Sequence, residues 1–109
     1  MKAENLNMDE ITEARRKAIA ASIRTIDFAE LKALGQKLFP YAGDVWGEKY
    51  FAFMDENPGA TFHHATTNDG IQIIYCAAKD KGIWFKPGAG MGPMQSKGLA
   101  ILKQIVEGR

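Results

Sequence analysis

The sequence predicts an α+β domain with three N-terminal helices, a three-stranded antiparallel meander and a C-terminal helix. Apolar residues recur at three- and four-residue spacing before Pro58 and again after Gly98, which is the helical period. Between these regions, β-branched and aromatic runs alternate with turn residues, as in antiparallel strands. A chain of 109 residues supports one core and is too short for two. We therefore expect residues 9–109 to form a single domain behind a flexible tail of residues 1–8.

The first helix is expected to begin at Asp9, a favourable N-cap residue, with Thr12 and Glu13 in its first turn. An apolar stripe at helical spacing continues to Ile26. Its members are Ile11, Ala14, Ala18, Ile19, Ser22, Ile23 and Ile26. This pattern predicts one amphipathic helix over the whole stretch.

Two further helices are predicted before the sheet. Asp27 followed by Glu30 resembles a capping box at the start of the second helix, and Pro40 ends that helix. Its buried face would consist of Phe28, Leu31, Leu34 and Leu38. The third helix is expected to run from an N-cap at Asp44 to Met54, where Asn57-Pro58-Gly59 stops it. Its apolar face comprises Val45, Trp46, Tyr50, Phe53 and Met54.

Three strands follow, separated by turn residues. Ala60–Thr67 and Ile71–Ala78 flank Asn68-Asp69-Gly70, which is a strong hairpin signal. Lys79-Asp80-Lys81-Gly82 predicts a second turn, and Ile83–Lys86 a third, short strand. The final helix is marked by Leu99, Leu102, Ile105 and Val106, and it ends near Gly108.

Both faces of this sheet are predicted to be apolar. Pairing through a three-residue turn places Phe62 opposite Cys76 and puts one set of side chains on one face: Phe62, His64, Ile74, Cys76, Ile83 and Phe85. The other face carries Ala65, Ile71, Ile73, Tyr75, Ala77 and Trp84. An antiparallel sheet with one solvated side does not show this pattern. Either helices cover both faces, or one face is the interface of a homodimer.

The segment from Gly82 to Lys97 is the candidate binding site. It is interpreted as a strand, a glycine-rich loop and a helix start with Gly92 as N-cap and Pro93 at the first helical position. Free backbone N–H groups at the positive end of a helix suit a small anionic, phosphate-like group. The candidate ligand-binding residues are Trp84, Lys86, Gly88, Gly90, Gly92, Gln95, Ser96 and Lys97. The alternative is that the glycines and prolines only make a tight strand-to-helix crossover.

The glycine segment does not match either established phosphate-binding motif. A P-loop requires Gly followed by Lys, whereas Lys97 follows Ser96. A dinucleotide fingerprint starting at Gly88 and Gly90 requires a third glycine at the position of Pro93. No cofactor is predicted.

Metal and thiol chemistry have few candidate residues. His63 and His64 are adjacent on a strand, so their side chains point to opposite faces and cannot hold one metal ion. Either register of the hairpin brings one of these imidazoles near Cys76, which leaves a Cys–His dyad as an enzymatic hypothesis. A thiol inside an apolar strand is usually inert. No catalytic residue and no metal site are predicted.

A further enzymatic hypothesis is a pair of carboxylates on the third helix, which carries Asp44, Glu48, Asp55 and Glu56. Asp44 and Glu48 are i, i+4 neighbours. We expect both to be solvated and Asp44 to be the helix cap, which accounts for them without acid–base catalysis. The sequence therefore favours a role that is not enzymatic.

Composition and charge narrow the classes of partner. The net charge is +1, which gives no strong reason to bind nucleic acid or an acidic membrane. No apolar run reaches the ~18–20 residues of a membrane helix, and the N-terminal residues lack the apolar core of a signal peptide. We therefore expect a cytoplasmic protein that contacts neither nucleic acid nor membranes.

Three short motifs carry a resemblance to a known family. Asn57-Pro58-Gly59-Ala60-Thr61-Phe62, Gly82-Ile83-Trp84-Phe85 and Gly90-Met91-Gly92-Pro93 are similar to segments of a family of small bacterial proteins to which no function is assigned. The resemblance covers about the last half of the chain. It implies a bacterial, single-domain α+β protein, and it implies no catalytic residues.

Two functions from different classes follow from the sequence. The first is a non-catalytic binding module that takes a small anionic group at the glycine-rich loop. The alternative is a homo-oligomeric structural or protein-interaction module without a small-molecule ligand.

Overall fold

The computed structural model describes residues 11–108 and shows an α+β fold, which confirms the predicted class. Within this range four helices accompany a five-stranded antiparallel sheet with the strand order β1-β2-β3-β4-β5. In chain order the elements are α1 (Glu13–Ser22), β1 (Arg24–Ile26), α2 (Phe28–Leu38), α3 (Val45–Asp55), β2 (Phe62–Thr66), β3 (Gln72–Cys76), β4 (Lys81–Lys86), β5 (Gly90–Pro93) and α4 (Ser96–Glu107). None of the helices in the described range is both long and apolar enough to cross a membrane.

The predicted three-stranded meander is wrong because the sheet has an additional strand at each edge. The first helix ends at Ser22 rather than continuing to Ile26, and Arg24–Ile26 pairs with β2 as an edge strand. Ile23 belongs to the core on one side of the sheet and Ile26 to the core on the other. The apolar face of one helix packs on one side of the sheet only. A strand at the edge of the sheet can place Ile23 and Ile26 on opposite sides.

The start of the first helix also differs from the prediction. Thr12 is the N-cap, and its Oγ1 accepts a hydrogen bond of 3.2 Å from the Arg15 amide. The predicted cap at Asp9 lies outside the described residues, as does the predicted tail of residues 1–8. Thr12 satisfies an amide of the first turn, which is the function of a cap.

The caps of α2 and α3 are confirmed. The Asp27 carboxylate accepts from the Glu30 amide at 2.7 Å, and the Glu30 carboxylate accepts from the Asp27 amide at 3.2 Å, which completes a capping box. The carboxylate of Asp44 accepts from the amides of Trp46 and Gly47 at 2.9 and 3.4 Å. Helix α2 ends at Leu38, as the proline at position 40 predicts.

Of the two registers that the sequence allowed for the central hairpin, the structure has the one with a three-residue turn. Phe62 lies opposite Cys76 and Ala65 opposite Ile73, which is the pairing expected from a three-residue turn at Asn68-Asp69-Gly70. The second turn lies earlier than predicted, because β4 begins at Lys81 and the turn closes with Asp80 at a φ of 50°. Aspartate tolerates this left-handed conformation better than most residues.

Helices cover both faces of the sheet, which is the first of the two arrangements that the sequence allowed. On one face, α1 and α4 pack over a core that contains Ile19, Ile23, Ala65, Ile71, Ile73, Tyr75, Met94, Leu102 and Ile105. On the other face, α2 and α3 pack over a core that contains Ile26, Leu31, Tyr50, Met54, Phe62, Ile74, Cys76 and Phe85. The apolar character of both faces is therefore explained within one chain.

Strand β5 forms an edge that resists further strand pairing. The Met94 amide donates to the Gly82 carbonyl at 2.8 Å. Because bonded and non-bonded pairs alternate along antiparallel strands, the backbone of Gly92 also faces β4, whereas the backbones of Met91 and Pro93 point outward. Proline has no N–H group, so Pro93 removes one of the two outward donors from this edge of the sheet.

Candidate functional sites

The predicted glycine loop is a β-hairpin and not a strand-to-helix loop. The Ala89 amide donates to the Lys86 carbonyl at 2.9 Å, and Gly88 has a φ of 80°, which only glycine adopts readily. Gly90 then begins β5 opposite Lys86. The sequence reasoning missed β5 because glycine and proline are rare in strands.

The predicted helix start is also wrong. Helix α4 begins at Ser96 with Gln95 as its N-cap, whereas Gly92 and Pro93 belong to β5. Strand β4 separates the glycine turn at Lys86 from the start of α4, because the segment before α4 pairs with the beginning of that strand. Four strand residues span about 13 Å, so the two groups do not form one binding site.

The eight predicted ligand-binding residues therefore fall into three places. The hairpin turn contains Lys86, Gly88 and Gly90, and the start of α4 contains Gln95, Ser96 and Lys97. Trp84 and Gly92 face each other in the middle of the β4–β5 pair. A Cβ atom on Gly92 would lie 3.1 Å from the indole nitrogen, so Trp84 packs over this glycine and is not an open wall for a ligand.

Cys76 and the two histidines do not form a catalytic arrangement. The Cys76 side chain is fully buried within the α2–α3 side of the sheet. The Nε2 atom of His64 lies 2.6 Å from Oε1 of Gln72, and burial lowers the pKa of His64. His63 lies on the opposite face, beside Tyr75. In the described part of the chain no group of three His, Cys, Asp or Glu side chains is placed to hold a metal ion.

A groove that the sequence reasoning missed lies between the α2–α3 loop and one face of α3. Its volume is about 580 Å³. Residues 39–44 of the loop form one side, and α3 contributes Gly47, Glu48, Phe51, Ala52 and Asp55. These helix positions recur at three- and four-residue spacing, so they share one face of α3.

The close approach of the loop to α3 depends on Gly47. A Cβ atom at this position would lie 2.9 Å from the Cβ atom of Phe39, so a larger residue would push the loop away from the helix. The ring of Phe39 is in turn fixed by contacts with Tyr50 and Phe85, whose ring centroids lie 5.5 and 5.3 Å away. The packing of Phe39 against the core therefore holds this side of the groove in place.

The lining of the groove is mainly apolar, and its charged residues are all acidic. Tyr41 and Val45 are large side chains that are 79% and 59% exposed. Tyr41 lines the groove, and Val45 begins the helix beside it. The charged lining residues are Asp44, Glu48 and Asp55, with no Lys or Arg among them.

A second, smaller groove lies on the other side of the molecule, between α1 and α4. Its volume is about 270 Å³, and its lining includes Arg16, Lys17 and Ile105. The two grooves thus carry charges of opposite sign. A signal for the larger groove was present in the sequence, since Phe39-Pro40-Tyr41 places aromatic residues in a connecting loop.

Comparison of the chain with protein-family models, with curated proteins and with solved structures finds no match. The resemblance to a family of small bacterial proteins stays a prediction. The function is therefore inferred from the chemistry of the chain itself.

Proposed function

We propose that this protein is a protein-interaction module that binds a segment of a partner protein in the groove between the α2–α3 loop and α3. The observation that carries the proposal is the exposure of Tyr41 and Val45 beside an apolar groove. Exposed apolar surface that is continuous with a groove is typical of interaction sites, because burial of that surface favours association.

The other surfaces of the fold support this choice of site. Both faces of the sheet are covered by helices, so neither is open to a partner. Strand β1 has three residues, and β5 carries Pro93 at its outer edge. Short edge strands and edge prolines oppose strand addition. The groove beside α3 is larger than the groove between α1 and α4 and has Tyr41 exposed at its side.

The lining of the groove supports binding rather than catalysis. It contains no His, Cys, Ser or Lys side chain among the described residues. The carboxylate of Asp44 already accepts two amides of α3. Glu48 and Asp55 are exposed along the groove. These groups can recognise a partner by charge, and nothing beside them would activate a nucleophile.

The test is a selection of random dodecapeptides on phage against the wild-type chain and against Ala52→Trp. Ala52 is an exposed residue of the groove, so an indole there fills the groove without changing charge or entering the core. We expect selected peptides to lose at least about tenfold in affinity for Ala52→Trp. Ala33→Trp, on the exposed face of α2, is the matched control.

The circular-dichroism spectra and melting temperatures of both tryptophan variants establish that they are folded. Peptides that bind wild type and Ala52→Trp equally well would show that the groove is not the interaction site. A selection that enriches no sequence would contradict the proposal in the same way.

A second candidate function retains part of the anion-site prediction. No backbone amide of α4 donates to the side chain of its N-cap residue Gln95, whereas the N-cap side chains of α1, α2 and α3 each accept from an amide. The first amides of such a helix favour an anion, and Lys97 lies in the same turn. This smaller site would comprise Gln95, Ser96 and Lys97, without the residues of the hairpin turn.

This candidate is tested by an amide chemical-shift titration with inorganic phosphate. Binding at the start of α4 would shift the amides of residues 95–98 in a saturable way, and Lys97→Ala would weaken it. Lys86→Ala is the control, because Lys86 lies at the far end of β4. A flat response at residues 95–98, or equal loss in both variants, would rule out this site.

A further inference from the structure

We infer that the partner segment bound by this groove is basic and presents Lys or Arg side chains on either side of an apolar anchor. This inference rests on the proposed function and adds the chemistry of the partner. It follows from the position of two carboxylates relative to the apolar floor of the groove.

Glu48 and Asp55 lie seven residues apart on α3, which is about two turns and about 10 Å along one face of the helix. Phe51 and Ala52 lie between them on the same face. A partner that places an apolar side chain over Phe51 and Ala52 therefore meets one carboxylate on each side. Cationic groups about 10 Å apart, with an apolar residue between them, complement this arrangement.

The backbone of α3 adds to the negative charge at one end of the groove. Asp55 is the last residue of α3, where the carbonyl groups of the helix end carry partial negative charge. The Asp44 carboxylate is at the opposite end and is bonded to the amides of Trp46 and Gly47. The strongest attraction for a cation is therefore expected near Asp55.

A second copy of this chain docked groove to groove is a poorer occupant. A two-fold dimer places the same surface of each copy against the other. Such an interface would bring two acidic groove rims together, and like charges across an interface oppose association. A basic segment of another protein meets no such repulsion.

The test uses the dodecapeptides selected on the wild-type chain and three charge-reversal variants. Glu48→Lys and Asp55→Lys change the groove, and Glu56→Lys is the control because Glu56 is exposed and does not line it. We expect the peptides to be rich in Lys and Arg around an aromatic or aliphatic residue. Each groove variant should weaken their binding about tenfold or more, and Glu56→Lys should change it less than about twofold.

The two groove variants have opposite expected effects on stability, which separates recognition from unfolding. Lysine favours the last turn of a helix and disfavours the first, so Asp55→Lys should raise the melting temperature and Glu48→Lys should lower it. Loss of peptide binding in both variants would thus be due to charge. Binding should also weaken as the salt concentration rises.

Three outcomes would overturn the inference, and they differ in what they say of the groove. The first outcome is that the selected peptides have no excess of Lys and Arg, and that their binding is lost with Ala52→Trp but not with the charge reversals. This would leave the groove as the site and refute a basic partner. Peptides insensitive to Ala52→Trp would refute both proposals. Self-association of the wild-type chain in sedimentation, abolished by Asp55→Lys, would make a second copy of the chain the occupant of the groove.

Discussion

At the scale of single residues, one polar cluster ties α1 to the β2–β3 hairpin. Two guanidinium nitrogens of Arg15 donate to Oδ2 of Asp69 at 2.9 and 3.2 Å, and the Thr67 hydroxyl donates to Oδ1 at 2.6 Å. Chiefly through the hydrogen bond from Arg15, this cluster lowers the pKa of Asp69 to about 2. The turn residue that predicts the hairpin thus also anchors a helix 54 positions away.

Asp69→Asn should lower the free energy of unfolding by about 1 kcal/mol at pH 7. The value is modest because the Asp69 side chain is 38% exposed and solvent screens its ion pair. The pKa of Asp69 is 3.8 in the unfolded chain and about 2 in the folded one. The stability that ionised Asp69 contributes is therefore present above the unfolded pKa and is lost as the pH falls through about 2. Urea unfolding of wild type and variant between pH 7 and pH 2 checks this.

Arg15→Lys is the control for the Asp69 experiment. It keeps the positive charge but removes the two-nitrogen contact, so we expect it to lose part of the same stability. A difference between wild type and Asp69→Asn that persists unchanged at pH 2 would contradict the assignment.

The Cys76 thiol should react slowly in the folded protein. Its side chain has no exposed surface, so an alkylating agent reaches it only when the chain opens. We expect iodoacetamide to label the native chain at least about 100-fold more slowly than the urea-unfolded chain, as followed by mass spectrometry. His64→Gln should leave the native rate unchanged. Rapid native labelling that His64→Gln abolishes would restore the Cys–His hypothesis.

At the scale of elements, the closest helix contact is that between α2 and α3. A Cβ atom on Gly35 would lie 2.4 Å from Cε1 of Tyr50 and 2.8 Å from Cζ of Phe51. The Tyr50 ring cannot move aside easily, because its hydroxyl donates to the buried Leu31 carbonyl at 2.6 Å. Gly35 therefore sets the distance between the two helices that carry the groove.

Gly35→Ala should destabilise the protein by about 1–3 kcal/mol, because the added methyl group overpacks the contact between α2 and α3. Without that contact the change would stabilise the helix by about 1 kcal/mol, since alanine is the better helix former. The control is Ala33→Gly on the exposed side of α2, which measures the free-energy difference between alanine and glycine that is due to helix propensity alone. Chemical denaturation compares the variants, and a stabilised Gly35→Ala would contradict the packing argument.

The elements that the sequence predicted well are those with strong local signals. The capping box at Asp27 and the Asn68-Asp69-Gly70 turn act within a few residues, and both are confirmed. Strand β1 escaped prediction because Ile26 continues a helical spacing, and only pairing with β2 makes it a strand. The groove escaped prediction because the exposure of Tyr41 depends on how the loop packs. Both features depend on tertiary contacts, which the local sequence pattern does not contain.

At the scale of the whole molecule, one sheet serves two cores. The sequence placed the correct side chains on each face, but it left open whether a second chain covers one of them. Phe85 is 1% exposed inside the α2–α3 core. A charged residue at this position would therefore unfold the chain, so its effect would not report on a homodimer interface.

Because both cores share the sheet, the chain should unfold in a single transition. Trp84 packs against the α1–α4 core, and Trp46 lies on α3 on the other side of the sheet. In Trp46→Phe and Trp84→Phe, the fluorescence of the remaining tryptophan should report the same urea midpoint as far-UV circular dichroism does. Midpoints that differ between fluorescence and circular dichroism would show that one helical layer detaches first.

The position of α2 and α3 within the topology has a consequence for engineering. Ile26 and Phe62 are paired partners on neighbouring strands, although the whole helical pair lies between them in the chain. Paired residues on antiparallel strands have Cα atoms only about 5 Å apart. Residues 27–61 thus leave the sheet and return to it at adjacent points. A different helical hairpin could therefore be joined at the same two points, provided that it supplies apolar side chains in place of Leu31, Tyr50 and Met54 to cover this face of the sheet.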